Sequence, residues 1–181
     1  MKHLRPGRPR RDVDDVVRAA LVDLVRRQGY AGTTIDQVAR AAGVAKTTVY
    51  RRWESKTALA LDALIDVLGE PPVADGPRET GLGVAIGWLA GRISDPDVHH
   101  LLTALIGEAA RDAEIRLRLR GAIRTPFERR TAEAWALDPA SVDLAFDVAV
   151  GALLHHAAMT GRVEAATVAL ISDLAVRIAS A

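Results

Sequence analysis

The chain has 181 residues, 49% of them hydrophobic, enough for a buried core in one domain or two small ones. It contains no cysteine, so neither a disulfide framework nor a thiolate metal site is available. Its net charge of +1 hides a division: residues 1–56 carry 13 Lys+Arg against 6 Asp+Glu (+7), residues 57–181 carry 11 against 17 (−6). A basic head on an acidic body is the layout of a chain that brings one end to a polyanion. Nothing resembles a signal peptide, and the longest strongly apolar run, Gly81 to Gly91, stops short of the roughly 20 residues of a membrane span. A soluble cytoplasmic protein with no membrane partner is expected.

Residues 1–10, with two prolines and no apolar periodicity, read as a flexible basic arm. Gly7-Arg8-Pro9 resembles the core of an AT-hook, in which an extended arginine enters a narrow minor groove; the alternative is a solubilising tail. A helix is predicted from Asp12 or Val13 to Gln28, with Val13, Val16, Val17, Ala20, Leu21 and Leu24 at helical spacing and Gly29 as its C′ residue. Two short helices then read as a hairpin over residues 34–53. Thr33 or Thr34 is the N-cap, with Asp36 or Gln37 closing a capping box. Ile35, Val38 and Ala39 form the inner stripe of the first, and Ala41-Ala42-Gly43-Val44 supplies the sharp turn. In the second, from about Ala45 to Arg52, Ala45, Val49 and Trp53 recur every four residues and face inward. Lys46, Thr47, Tyr50 and Arg51 fall on the outer arc, a row of donors suited to base edges and phosphates in a major groove. An ordinary helical hairpin with a solvated polar face is the other reading of that pattern.

Gly29-Tyr30, Thr33-Thr34-Ile35, Val38-Ala39, Ala42-Gly43-Val44, Thr47-Thr48-Val49-Tyr50, Trp53, Ser55-Lys56 and Leu59 resemble, in order and spacing, the DNA-binding domain of the tetracycline-repressor (TetR) family over about residues 11–68. Trp53 stands where phenylalanine is commoner, and Thr47 where glycine is frequent. The resemblance implies that Lys46, Thr47 and Thr48 face bases and that Tyr50 contacts a phosphate or a thymine methyl. It implies phosphate contacts for Arg51, Arg52, Lys56 and Thr34. With Arg8 of the arm, these are the candidate DNA-binding residues.

Residues 11–56 are thus expected to form a three-helix head and residues 57–68 a connector helix capped by Ser55; the Pro/Gly-rich stretch from Gly69 to Thr80 is the boundary to a helical body over 77–181. In the body, Gly83, Gly87 and Gly91 at four-residue spacing predict a helix face against which a neighbour packs closely. Pro96 starts the next helix, with Leu101, Leu102, Leu105 and Ile106 inside, and a long helix from Asp112 to Leu137 is expected to kink or break at Pro126. Asp138-Pro139 opens a helix to Met159 or Thr160, and a last helix covers about Ala165 to Ala179. Both carry more apolar face than one body covers, which implies association. In the TetR family the last two long helices pair with a second subunit as a four-helix bundle, and Phe146, Val150, Leu153, Ala157, Ile171, Leu174 and Ile178 are the expected homodimer interface.

The expected fold is all-α, about nine helices: an N-terminal helix-turn-helix domain and a C-terminal helical ligand-binding and dimerisation domain. The expected function is a DNA-binding transcriptional regulator, a ligand-responsive repressor that binds a palindromic double-stranded operator as a homodimer. The alternatives are an activator of the same family or a helical interaction module with a basic end. Trp88, Leu102, Ile106, Trp135, His155 and Met159 are the candidate contacts for an unidentified small-molecule effector. No cofactor or metal is expected, because neighbouring residues on a helix diverge by about 100°, which parts the rings of His99-His100 and of His155-His156. The motifs of nucleotide-dependent, hydrolytic and metalloprotease enzymes are missing from the sequence, so no catalysis is expected.

Overall fold

The computed structural model describes residues 10–72, 77–135 and 137–179, the side chains of residues 10–12, 78, 79, 131, 132, 134 and 135 excepted. The predicted roles of Arg8 and of the Trp135 side chain therefore lie outside the described residues. All regular elements among the described residues are helical: α1 (Arg10–Gly32), α2 (Ile35–Ala41), α3 (Lys46–Tyr50), α4 (Lys56–Leu68), α5 (Arg78–Ser94), α6 (Pro96–Ala109), α7 (Ala113–Leu119), α8 (Thr125–Trp135), α9 (Pro139–Thr160) and α10 (Ala165–Ala179). A π-helical turn, Arg120–Arg124, joins α7 to α8, so residues 113–135 form one interrupted rod.

The local reasons are visible in the sequence. α1 buries Val17, Leu21, Val22 and Val25, and its regular run ends where Gly29 takes φ 76°, ψ 162°. Ser55, Asp95, Asp112 and Asp138 cap α4, α6, α7 and α9 with their side chains. The interruption expected at Pro126 is the π-helical turn before it. Proline has no N–H for the Ala122 carbonyl and its ring crowds that carbonyl, and the wider turn gives the room.

Buried apolar side chains form one continuous cluster from Val17 in α1 to Ala179 in α10. α4 lies at its middle, packed against both α1 and α6, with Leu59, Ala60, Ala63 and Leu64 wholly buried. α5, α9 and α10 pack on one another at the far end.

Three expectations need correcting. Gly83, Gly87 and Gly91 do not receive a neighbouring helix: a Cβ on any of them would meet nothing within 4 Å, because Leu82, Ala85, Ile86, Leu89 and Ala90 form the packed side of α5. Leu153, Ala157 and Ile171, expected at a dimer interface, are buried in the chain's own core, where α5, α9 and α10 pack on one another. Of the expected set Leu174 (49% exposed) stays outside, joined on these two helices by Leu144, Met159 (69%) and Leu170 (72%). Finally, α9 with its 22 residues and mean hydropathy of 1.3 is long and apolar enough to cross a membrane by length and composition. Its small residues and the surrounding polar ones divide that apolar length too finely for a simple run to reveal it. Within the chain it is a core helix on one side, through Val142, Ala145, Ala149, Leu153 and Ala157.

Candidate nucleic-acid interface

The head is assembled by side-chain to backbone bonds around the α1–α2 and α3–α4 junctions. Thr34 is the N-cap of α2: its hydroxyl accepts from the Gln37 N–H at 3.3 Å while the Gln37 side chain accepts from the Thr34 N–H at 2.8 Å, completing the capping box. Thr33, 1% exposed, is not the cap; its hydroxyl donates to the Gly29 carbonyl at 2.9 Å and ties the end of α1 to the start of α2. Gly43 (φ 67°) makes the turn into α3. Ala45 precedes α3 in an extended conformation and is exposed, so the inward stripe of that helix is Val49 and Trp53 alone. Backbone bonds from Arg51 to Thr47 and from Trp53 to Val49 continue its helical winding past Tyr50.

Trp53 is buried, and its indole N–H donates to Asp62 of α4 at 3.0 Å. Arg18 of α1 donates to the same carboxylate oxygen at 3.0 Å. One carboxylate thus fixes the end of the hairpin, the connector α4 and α1 relative to one another. An indole reaches this acceptor where a phenyl ring has no donor to offer.

The outer arc stands clear of the core. Lys46, Thr47, Tyr50 and Arg51 are exposed and Thr48 is half-buried; Tyr50 shows 47% of its surface. Lys46 Nζ lies 2.6 Å from a carboxylate oxygen of Asp36 in α2 and 5.7 Å from the centre of the Tyr50 ring. The hydrogen bond to Asp36 and its charge raise the Lys46 pKa, so the ammonium is fully charged at neutral pH. Arg51 makes no ion pair with any described residue and its five donors face solvent. Asp36 belongs to this surface although the sequence pointed to it only as a capping candidate. An acidic first-turn residue satisfies the helix dipole wherever it points, which hides a second role.

Arg52 and Lys56 are turned the other way. Arg52, with 17% of its side chain exposed, is ion-paired to Asp14 of α1. Lys56 donates to the carbonyls of Tyr30 (2.7 Å) and Thr33 (3.0 Å) and sits 4.0 Å from the Tyr30 ring centre. The Tyr30 hydroxyl in turn bonds Thr57 at 2.9 Å. Burial lowers the Lys56 pKa, against which the charge of Glu108 acts, and burial raises that of Tyr30. Lys56 therefore clamps α4 onto the α1–α2 junction and keeps one N–H free of the three an ammonium carries.

The candidate effector contacts divide. Leu102 and Ile106 line a cavity of about 280 Å³, and Trp88 lines a second of about 310 Å³. Phe146 borders both and Val150 borders the first, which places these two beside the cavities rather than on a free face. His155 and Met159 are exposed on α9 and border neither.

A hairpin of this build, with a donor arc on α3 and a single carboxylate locking it to a connector helix, has clear relatives. Residues 17–63 match the family model described as bacterial regulatory proteins, tetR family. A DNA-binding transcriptional repressor TetR of Mycobacteroides abscessus is 28% identical over 165 residues, 86% of this chain and 87% of that one. The solved structure of a TetR family transcription regulator, SCO0332, is 28% identical, with a TM-score of 0.63 over 91% of this chain and 97% of its own. The family model, this relative and the solved structure together support the TetR family. The transcriptional regulator SCO7518 of Streptomyces coelicolor A3(2), 20% identical, shares the fold with a TM-score of 0.72 over 94% of this chain and 99% of that one. As a TetR-family protein this chain is a DNA-binding transcriptional regulator with a helix-turn-helix head, and its relatives are regulators rather than enzymes.

Proposed function

We propose that this TetR-family regulator is a ligand-responsive repressor that binds a near-palindromic operator as a homodimer. The observation that carries the reading is the exposed arc of Lys46, Thr47, Tyr50 and Arg51 on a helix anchored from behind by Val49 and Trp53. A rigid rod with donors outward enters a major groove without rearranging its own core. Lys46, Thr47 and Thr48 read base edges, Tyr50 meets a phosphate or a thymine methyl, and Arg51 and the α2 cap at Thr34 hold phosphates. Arg8 reaches the minor groove. Arg52 and Lys56 act chiefly by holding the hairpin, the latter with one N–H left for a phosphate.

Pairing of two copies through α9 and α10 is supported by the apolar side chains these helices leave uncovered, Leu144, Met159, Leu170 and Leu174, continued by the partly covered Ile178. A two-fold dimer sets two copies of α3 one DNA turn apart, roughly 34–36 Å, and so calls for a palindrome. Within each copy, residues 11–56 serve as reader, 57–68 as connector and 77–181 as the regulatory body. Effector occupancy of the body that disfavours the DNA-compatible spacing by roughly 3–5 kcal/mol empties most operators. Footprinting on the DNA upstream of the protein's own coding sequence tests the reading. A protected palindrome that survives competitor DNA supports it; only weak, sequence-indifferent binding overturns it.

A further inference from the structure

The cavity of about 280 Å³ lies between α4, α5, α6, α7, the π-helical turn and α9, and its wall is largely apolar, with Leu68, Leu89, Leu102, Ile106 and Phe146 among its lining. Its volume sits near the lower end of small-molecule sites. It also shares Leu68, Leu89, Ile123 and Phe146 with the neighbouring cavity of about 310 Å³, so the two adjoin along an apolar seam. An extended apolar body suits such a trough better than a compact polar one.

The charges at its rim are not equivalent. Arg124 is held by Glu128, Asp143 and Asp147, and Asp147 spends both carboxylate oxygens on it, at 2.7 and 3.1 Å. Arg120 reaches Asp143 at 3.3 Å. Arg116 differs: it donates one N–H to the Ala109 carbonyl at the end of α6 (2.7 Å) and has no carboxylate within ion-pair distance among the described residues. The Ala109 bond fixes the guanidinium at the rim while most of its donors remain open. A cationic ligand would find no unspent carboxylate in the lining, whereas an anion finds one uncompensated arginine.

We propose that this cavity takes an amphipathic monoanion, an aliphatic chain bearing one carboxylate, with the chain along the Leu102–Phe146 wall and the carboxylate on Arg116. This rests on the ligand-responsive reading above and names the chemical class of its effector. The carrying element is α7, which presents Arg116 to the cavity and, two residues on, pairs Arg118 with Glu54 beside the end of the DNA-reading hairpin.

Calorimetric titration of the full chain, without DNA, compares three probes sharing one chain: decanoate, 1-decanol and decyltrimethylammonium. Decanoate is expected to bind about ten-fold or more tightly than either, the size a charge-assisted hydrogen bond carries. Arg116→Gln, which keeps a donor for Ala109 but no charge, should erase that preference, and Arg116→Lys should keep part of it. Arg111→Ala, an arginine paired to Glu108 outside the cavity, should change nothing. Equal binding of decanoate and decanol, tighter binding of the cation, or a decanoate affinity indifferent to Arg116→Gln in a folded variant each overturns the proposal. Footprinting of the same preparation without ligand reports separately on the regulator reading: decanoate failing to bind a chain that still protects its operator refutes this site alone.

Discussion

At the scale of single residues, the head separates an exposed donor arc from side chains turned inward to hold it. Lys46 is held by Asp36, and in the proposed base-reading role it trades that carboxylate for a base or phosphate oxygen. Lys46→Ala is expected to cost about 1–3 kcal/mol at the operator and to relax preference at one base pair, measured by binding to a panel of single-base operator variants. Arg51 has no ion-pair partner among the described residues to give up, so Arg51→Ala should weaken binding evenly across sequences and lower the slope of log affinity against log salt by about 1. A sequence-selective loss there would contradict the phosphate role. Trp53→Phe removes one of the two donors to Asp62 and leaves the arc in place. Thermal melting should register a loss of about 0.5–1.5 kcal/mol.

At the scale of elements, the tilt of α3 depends on the short turn before it. Gly43 has open space around its Cα but φ of 67°, so Gly43→Ala carries backbone strain without a clash, about 1 kcal/mol. Because the strain sits between α2 and α3, operator affinity should fall further than the melt alone explains; parallel titration and melting separate the two. α7 is the other element with divided contacts. Arg118 is exposed and bound to Glu54 and Glu114, both of which hold its pKa up, so its removal should change stability little. Arg118→Ala is expected to bind decanoate normally but to resist release from DNA, and wild-type release in that variant would dismiss α7 as the relay.

At the scale of the whole molecule, one continuous core runs from α1 to α10, so a proposed signal from the body to the hairpin has a packed route to follow. Leu170→Glu with Leu174→Glu places charges on the uncovered side of α10 without touching the core. Sedimentation should then show a single-chain species, and operator affinity should drop about 100-fold or more as the two heads lose their tether. The body also has an acid-sensitive clasp. Burial raises Glu128 above the usual carboxylate range, whereas hydrogen bonding from Glu128 and then Arg124 holds Asp143 below it. Glu128 therefore takes its proton first as pH falls, at some gain in stability. The contribution of Asp143, full above its ordinary pKa, is lost as pH falls through the lowered one, below about pH 4. Asp143→Asn should flatten that acid limb in a series of melts.

The helical periods, caps and turn of the first 68 residues lie in the sequence, because a 3.6-residue repeat, a Thr34/Gln37 box and a glycine at the turn are local chemistry. Family membership was legible for the same reason: the hairpin spacing is local. The body was readable as helices but not as surfaces. Periodicity shows that Leu153 and Ala157 share a side of α9 and that Ile171 lies on the apolar side of α10; it cannot show that α5, α9 and α10 of the same chain pack on one another and bury these residues while Leu170 stays outside. Likewise a basic residue between α3 and the start of α4 is equally suited to phosphate or to an acceptor within the chain. Only the approach of Asp14 and of the α1–α2 carbonyls decided that Arg52 and Lys56 turn inward. Which face a helix offers is set along the chain, and what meets that face is set by elements distant in sequence.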